Sequence, residues 1–188
     1  LFYNLSFYIA NPMKVLAVWQ GGMSYHGGAI GCVIGMAICA KYYKLNLLKL
    51  LDILGISSTF GIALGRIGNF INGELIGKPS TLPWAMVFPH VDHLPRHPSQ
   101  LYESFFEGVL LFIILFSVWK RFKPKPGLLF SLYLIGYAFF RFILEYTREP
   151  DAHLGAILFT LSMGQVLSLV MGSLGIALIS YLTIGKKE

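Results

Sequence analysis

Charged side chains are scarce in this sequence, and acidic ones are the scarcest. Asp, Glu, Lys and Arg make up 13% of the 188 residues, with 9 acidic against 15 basic, while hydrophobic residues make up 55%. Soluble domains carry about twice that share of charge. The composition therefore excludes an ordinary soluble globular core and predicts a membrane protein. In such a chain the net charge of +6 does not indicate a nucleic-acid partner, and we expect none.

Cysteine is almost absent, and the common catalytic motifs are missing. The two cysteines, Cys32 and Cys39, lie seven apart in an apolar run. This placement is typical of buried packing thiols and not of a disulfide or a metal pair. The sequence contains no P-loop, no nucleophile elbow and no zincin helix. These absences disfavour nucleotide hydrolysis, serine-esterase chemistry and zinc-protease chemistry.

Long apolar segments dominate the rest of the chain. Five are long enough to cross about 30 Å of hydrocarbon: Gly27–Leu45, Leu50–Ile71, Tyr102–Trp119, Gly127–Tyr146 and Ala156–Ile184. They predict an all-α, polytopic transmembrane helix bundle, a single membrane domain over residues 1–188 with an outward-facing loop or head region at residues 72–101. Glycine pairs at four-residue spacing, Gly31 with Gly35 and Gly61 with Gly65, are typical of close helix packing.

Basic residues predict the orientation of these spans. An odd number of crossings places nine of them on one side, where Asp52 and Glu188 leave a net charge of 9 − 2 = +7. The nine are Lys41, Lys44, Lys49, Lys120, Arg121, Lys123, Lys125, Lys186 and Lys187. The positive-inside rule assigns that side to the cytoplasm. The segment Leu1–Ala10 is too short to span, so we expect a cut span or an interfacial segment there and further sequence before it.

The remaining polar side chains gather at the opposite ends of the predicted spans. They are His26, Arg66, Asn69, Glu74, His97, Gln100, Glu103, Arg141, Glu145 and Arg148. Because lipid does not solvate charges, helices are expected to bring these groups together in a polar pocket at the outer leaflet. The simpler alternative is a polar helix end at the headgroups, with Arg66 extending outward to water.

Three arginines in such a pocket suit an anionic phosphate, which a guanidinium binds through two parallel hydrogen bonds. Arg141, Glu145 and Arg148 follow at i, i+4 and i+7, which on a helix is one face. Glu145 is expected to orient Arg141, although a purely structural ion pair is the alternative. His26, beside two glycines, is a candidate proton acceptor or a structural histidine.

A metal site is not expected. His90, His93 and His97 lie close in sequence, but prolines interrupt the loop and no helical ligand spacing is present. The pocket chemistry requires neither a metal nor a cofactor.

Four motifs together resemble a known family. The first motif, residues 65–77, resembles the signature of bacterial prolipoprotein diacylglyceryl transferases; it reads Gly-Arg-Ile-Gly-Asn-Phe-Ile-Asn-Gly-Glu-Leu-Ile-Gly. The second, residues 21–28, resembles that family's histidine motif and reads Gly-Gly-Met-Ser-Tyr-His-Gly-Gly. His-Pro-Ser-Gln-Leu-Tyr-Glu (97–103) and Arg-Phe-Ile-Leu-Glu-Tyr-Thr-Arg-Glu-Pro-Asp (141–151) are similar to two further blocks. The likeness extends over nearly the whole chain.

The resemblance implies a multi-pass enzyme of the bacterial cytoplasmic membrane with a cytoplasmic C-terminus. It implies transfer of the diacylglyceryl group of phosphatidylglycerol to the lipobox cysteine of a preprolipoprotein, forming a thioether and releasing glycerol phosphate. The implied essential positions are His26, Arg66, Asn69, Glu74, Gly77, Arg141, Glu145 and Arg148, with His97, Gln100 and Glu103 in support. The family has seven spans, and the first two have no counterpart in this sequence, so we expect the chain to be a fragment of a longer protein.

Two other classes of protein fit the residues less well. An anionic-lipid or anion carrier also uses arginines, but carriers usually hold their polar groups near the midplane of a pseudo-symmetric fold. An interfacial lipid hydrolase needs an activated nucleophile, and none is evident in the sequence.

Overall fold

A computed structural model describes residues 25–149 and 161–184 of the chain. The chain divides into two compact units, and the boundary between them in the sequence lies between Leu50 and Leu51. The helices are α1 (Tyr25–Tyr42), α2 (Leu47–Asn72), α3 (Ser99–Glu103), α4 (Leu111–Phe122), α5 (Leu128–Leu144) and α6 (Met163–Ile184). A π-helical turn, Ser104–Leu110, joins α3 to α4, and a 3₁₀ turn, Glu145–Thr147, follows α5.

The predicted polytopic helical architecture is confirmed. Within the part of the chain that the structure describes, four helical segments are long and apolar enough to cross a membrane: Leu47–Asn72, Ser99–Phe122, Leu128–Thr147 and Met163–Ile184. The remaining predicted span corresponds to α1, whose described apolar part, Gly31–Tyr42, is shorter. The helical segment that contains Glu103 begins at Ser99, directly after Pro98, because proline is tolerated only at the start of a helix.

The thiols of α1 do not follow the sequence prediction. Cys32 and Cys39 are both free and exposed on this helix, so the prediction of buried packing thiols is wrong for the described structure. A Cβ added to Gly31 or Gly35, on the same helix, would meet no neighbouring described atom within 4 Å.

Other glycines bring the helices of the second unit together. A Cβ on Gly108 would lie 2.6 Å from the Cβ of Ala63, and one on Gly175 would lie 2.9 Å from the carbonyl oxygen of Ser131. A Cβ added to Gly61 or Gly65 would meet no neighbouring described atom within 4 Å, so the prediction that this pair packs helices is wrong among the described residues. Small residues at crossings matter in lipid because association depends on close packing more than on the hydrophobic effect.

Large side chains fill the space between these crossings. Leu111 and Leu115 of α4 pack with Tyr133 and Tyr137 of α5 in one buried cluster. Because α5 also packs along α6, it is the helix against which the other described spans of this unit are arranged.

Asp52 defines one end of the second unit. Its carboxylate accepts hydrogen bonds from the backbone N–H groups of Gly127 and Phe130, 2.8 Å each, at the N-terminus of α5. An acid at a helix N-terminus satisfies free N–H groups and complements the helix dipole. Arg66 lies 66 − 52 = 14 residues further along α2, about 21 Å at 1.5 Å per residue. The arginines therefore occupy the opposite end.

A short loop region lies at that opposite end, between α2 and α3. Strands β1 (Met86–Val87) and β2 (Pro95–Arg96) pair antiparallel, Met86 opposite Arg96. Isolated bridges add Pro79 to Arg96 and Gly77 to Arg148. Through the second bridge the loop is attached to the chain that follows α5.

Candidate functional site

Glu103 is the centre of the polar cluster. Its side chain is fully buried, and its Oε2 lies 2.8 Å from Nε of Arg66 while its Oε1 lies 2.6 Å from Nη1 of Arg141. Nη1 of Arg148 is 3.8 Å from the same Oε1. One carboxylate thus gathers arginines from α2, from α5 and from the segment after α5. Such a pair is stable in a buried site only when hydrogen bonds accompany the charges.

Arg141 is held on two sides. Besides Glu103, its Nη2 lies 2.7 Å from Oε2 of Glu145, one helical turn later, as the i, i+4 spacing predicted. Glu145 in turn accepts a hydrogen bond of 2.8 Å from the hydroxyl of Ser162. It packs against Gly164, where a Cβ would lie within 2.9 Å of the carboxylate. These contacts fix the plane of the guanidinium.

Arg148 reaches the cluster by a different route from the one predicted. The α-helix ends at Leu144, a 3₁₀ turn follows, and Arg148 is extended, with ψ of 145°. The prediction that Arg141, Glu145 and Arg148 share one continuous helix face is therefore wrong. The bridge between Gly77 and Arg148 instead fixes the backbone of this arginine.

The polar residues at the end of α2 form a second group. The side-chain amide of Asn69 donates to Oε2 of Glu74 at 3.1 Å. Gln100 is fully buried and donates from Nε2 to the backbone oxygen of Glu74 at 2.6 Å. Asn69, Glu74 and Gln100 therefore shape the turn that leaves α2, next to the helix that carries Glu103.

Gly77 lies where two backbones approach closely. A Cβ at this position would lie 2.8 Å from the carbonyl oxygen of Thr147 and would collide with the backbone of His97. Its own carbonyl oxygen accepts a hydrogen bond of 3.0 Å from Arg96. The structure thus gives Gly77 a packing reason for being glycine, in addition to the substrate-binding role that the resemblance implies.

Arg96 ties the loop region together away from the cluster. It contacts Asp92 at 2.6 Å and Glu149 at 2.8 Å. The hydrogen bonds from Arg96 lower the pKa of the Asp92 carboxyl below its ordinary value. This arrangement holds β2 against the segment that follows Arg148.

Two histidines of the loop, His90 and His97, have local partners. Nε2 of His90 lies 3.1 Å from the backbone oxygen of Gly73, and Nδ1 of His97 lies 3.4 Å from the hydroxyl of Tyr102. Among the described residues no three metal-ligating side chains come together. The side chain of His26 lies outside the described part of the structure, and so does the stretch of residues 150–160.

The arrangement is suited to binding an anion at the end of the spans. The side chains of the three arginines are 11–17% exposed, so each retains some accessible surface. A guanidinium has five N–H donors, and the contacts of Arg141 with Glu103 and Glu145 leave donors for a further partner. Aligned guanidinium groups in a site shielded from water bind phosphate strongly.

Comparison with known proteins gives a family. The family profile described as prolipoprotein diacylglyceryl transferase matches residues 1–181. A relative from Methylobacillus flagellatus is 51% identical over 180 residues, covering 95% of this chain and 68% of its own. Relatives from Geobacter sulfurreducens and Nitrosomonas europaea are each 47% identical, covering 95% and 100% of this chain and 68% of their own lengths. All three are named phosphatidylglycerol–prolipoprotein diacylglyceryl transferase.

The chain belongs to the prolipoprotein diacylglyceryl transferase family. It is accordingly a multi-pass membrane protein, and it spans about two thirds of the length of these relatives. In this family member, the predicted residues Arg66, Arg141, Glu145 and Arg148 meet around Glu103.

Sequence reasoning gave one contributor to the cluster too small a role and missed another. Glu103 was expected only in support, although Glu103 and Glu107 are four residues apart and would share one face of a helix. Ser162 had no signal, because its contact with Glu145 joins residues that are 17 apart across a connection between spans.

Proposed function

We propose that this chain transfers the diacylglyceryl group of phosphatidylglycerol to the lipobox cysteine of a preprolipoprotein. The reaction forms a thioether and releases glycerol phosphate, the first step of lipoprotein maturation. The observation that carries the proposal is the convergence of Arg66, Arg141 and Arg148 on buried Glu103, in a chain of this family.

The arginine cluster is the proposed site of the lipid phosphate. The headgroup enters at the end of the spans, and Arg66 and Arg141 bind the phosphate while Arg148 supplies further positive charge. Asn69, Glu74 and Gly77 form the turn beside this site and hold the glycerol portion. Gln100, His97 and Glu103 keep the surrounding backbone and arginines in position.

The chemical step is a substitution at carbon. The cysteine sulfur attacks the terminal carbon of the diacylglyceryl group, a carbon–sulfur bond forms, and the carbon–oxygen bond to phosphate breaks. The leaving glycerol phosphate takes the bonding electron pair, and the thiol proton passes to a base. Charge grows on the phosphate as the bond breaks, so fixed guanidinium groups stabilise the transition state more than the bound lipid.

The deciding experiment supplies acyl-labelled phosphatidylglycerol and a lipobox peptide to the full-length protein in vesicles. Transfer predicts label on the peptide cysteine and equimolar release of glycerol phosphate. A peptide with serine in place of the cysteine should remain unlabelled. Released diacylglycerol without labelled peptide would indicate a hydrolase, and movement of lipid between leaflets without either product would indicate a carrier.

His26 is the proposed proton acceptor for the thiol. A free thiol has a pKa of about 8.5, so a base increases the fraction of reactive thiolate at neutral pH. We expect His26→Gln to lower turnover more than lipid binding, with part of the activity returning at higher pH. The measurements are transfer rates across pH and equilibrium binding of phosphatidylglycerol. Equal losses of rate and of binding would make His26 a structural residue.

The proposed location is the bacterial cytoplasmic membrane, with the arginine cluster and residues 72–101 at the outer face and the C-terminus in the cytoplasm. Asp52 lies at the opposite end of α2 from Arg66 and binds the backbone of Gly127, next to the basic loop that contains Lys123. Basic loops favour the cytoplasmic side, so this arrangement supports the proposed orientation.

Cysteine labelling tests the orientation. On a background without Cys32 and Cys39, we expect a membrane-impermeant thiol reagent added to intact cells to label Lys78→Cys. It should leave Lys44→Cys and Lys123→Cys unlabelled until the cells are opened. Strong labelling of position 123 in intact cells would reverse the topology.

A further inference from the structure

Glu107 lies one turn beyond Glu103, and the proposed reaction does not use it. Its side chain is fully buried in the π-helical turn. Within the described residues neither of its carboxyl oxygens has a hydrogen-bond partner, and Nη1 of Arg141 is still 3.9 Å from Oε1. An ionised carboxylate without donors is costly in any buried site and more so within a membrane span.

The other two carboxylates of the cluster are different. Glu103 lies within 2.8 Å of guanidinium nitrogens of both Arg66 and Arg141. Glu145 lies 2.7 Å from Arg141 and also accepts a hydrogen bond from Ser162. These two have the close contacts that stabilise an ionised form, and Glu107 does not.

The backbone keeps Glu107 in place. Gly108, the next residue, is pressed against Ala63 of α2, where a Cβ would lie 2.6 Å from that of the alanine. Ser104, at the start of the same π-helical turn, donates from its hydroxyl to the backbone oxygen of Ala63 at 2.9 Å. The turn therefore cannot rotate to bring Glu107 closer to an arginine without separating the two helices.

The protonation state of Glu107 decides the charge of the whole cluster. The charged groups around it are Arg66 from α2, Glu103 from α3, Arg141 from α5 and Arg148 from the following segment. If Glu103, Glu107 and Glu145 were all ionised, the three carboxylates would balance the three guanidiniums, 3 − 3 = 0. With two ionised carboxylates the sum is 3 − 2 = +1.

We propose that Glu107 is held as a neutral carboxylic acid, which leaves the arginine cluster with a net charge of +1 that matches a monoanionic phosphodiester. Glu107 thus acts only through the charge of the cluster and does not touch the lipid. The identity of the lipid rests on the proposed function, but the state of Glu107 does not.

Infrared difference spectroscopy tests the protonation state directly. The spectrum of the full-length wild-type protein minus that of Glu107→Gln at neutral pH should contain the carbonyl band of a protonated carboxylic acid. The corresponding difference with Glu149→Gln, an exposed carboxylate that contacts Arg96 outside the cluster, should lack it. Glu107→Met, a second neutral side chain of similar length, serves as an independent reference. Absence of the band from both Glu107 differences would overturn the proposal.

Lipid binding tests the consequence for charge. Vesicles of phosphatidylglycerol and of zwitterionic phosphatidylethanolamine are the probes. Since glutamine copies the neutral acid, Glu107→Gln should bind phosphatidylglycerol within about twofold of wild type and keep the same preference. If Glu107 were ionised, replacing it with glutamine would remove a full negative charge on the order of 10 Å from the phosphate, which would tighten anionic-lipid binding by roughly tenfold. That result, or a large loss of binding by a folded variant, would contradict the proposal.

These readouts separate two failures. If wild-type protein transfers no label to the peptide but the band and the binding behave as expected, the proposed function fails and the assignment of Glu107 stands. If wild type transfers label but the band is missing, the assignment fails alone.

Discussion

Arg141→Lys is expected to lower the rate of diacylglyceryl transfer about a hundredfold or more, in line with loss of an electrostatic contact to the transition state. Lysine keeps the positive charge, but it lacks the planar fork that reaches Glu103 at 2.6 Å and Glu145 at 2.7 Å at once. A lysine that satisfies one glutamate turns away from the other and from the phosphate. The measurement is transfer of label in membranes at matched expression.

Two comparisons make this result interpretable. Glu145→Gln should lose less, because the amide oxygen still accepts a hydrogen bond and Arg141 remains charged. Arg121→Lys, an exposed arginine near the end of α4, is the control for the same chemical change outside the cluster and should stay near wild type. If Arg141→Lys kept a near-normal rate, the phosphate site would have to be sought at Arg66 or Arg148.

Glu103→Gln is expected to have an effect of similar size for a different reason. The fully buried carboxylate is the common partner of Arg66 and Arg141 and lies 3.8 Å from Arg148. Removing one partner of a buried ion pair typically costs about 3–5 kcal/mol. We therefore expect a lower melting temperature in detergent and a rate per folded molecule reduced about a hundredfold.

Glu149→Gln is the matched control for Glu103. Glu149 also contacts an arginine, Arg96 at 2.8 Å, but its side chain is 47% exposed. Exposed ion pairs contribute about 1 kcal/mol or less, so this variant should resemble wild type in both measurements. An unchanged melting temperature together with a rate within about threefold for Glu103→Gln would show that the arginines do not depend on this glutamate.

The parts of the site that follow from local spacing could be predicted from the sequence. Arg141 and Glu145 are one helical turn apart, and their contact forms as the spacing indicated. The span that carries Glu103 was predicted from Tyr102 and begins at Ser99, directly after Pro98, a residue that suits the first turn of a helix. The polar residues at the end of α2 were likewise expected near that span, and Gln100 does bind Glu74.

The parts that depend on long-range packing could not be predicted. Arg148 leaves the helix because the 3₁₀ turn after Leu144 redirects the chain, and its contact is with Gly77, 71 residues earlier. Asp52 entered the sequence argument only as a charge, whereas it binds the N-terminus of α5. Gly108 and Gly175 are among the glycines at described helix crossings, whereas the spaced pairs meet no neighbouring described atom, since contact depends on which face each helix presents.

A structure of the full-length protein with phosphatidylglycerol bound is the most direct test of the account. We expect the lipid phosphate within about 3 Å of guanidinium nitrogens of Arg66 and Arg141, with Arg148 close by and Glu103 still bound to both. The acyl chains should extend along the spans toward the end that carries Asp52. A headgroup bound elsewhere, with the contacts of Glu103 to the arginines unchanged and no phosphate beside them, would contradict the central claim that this cluster is the lipid phosphate site.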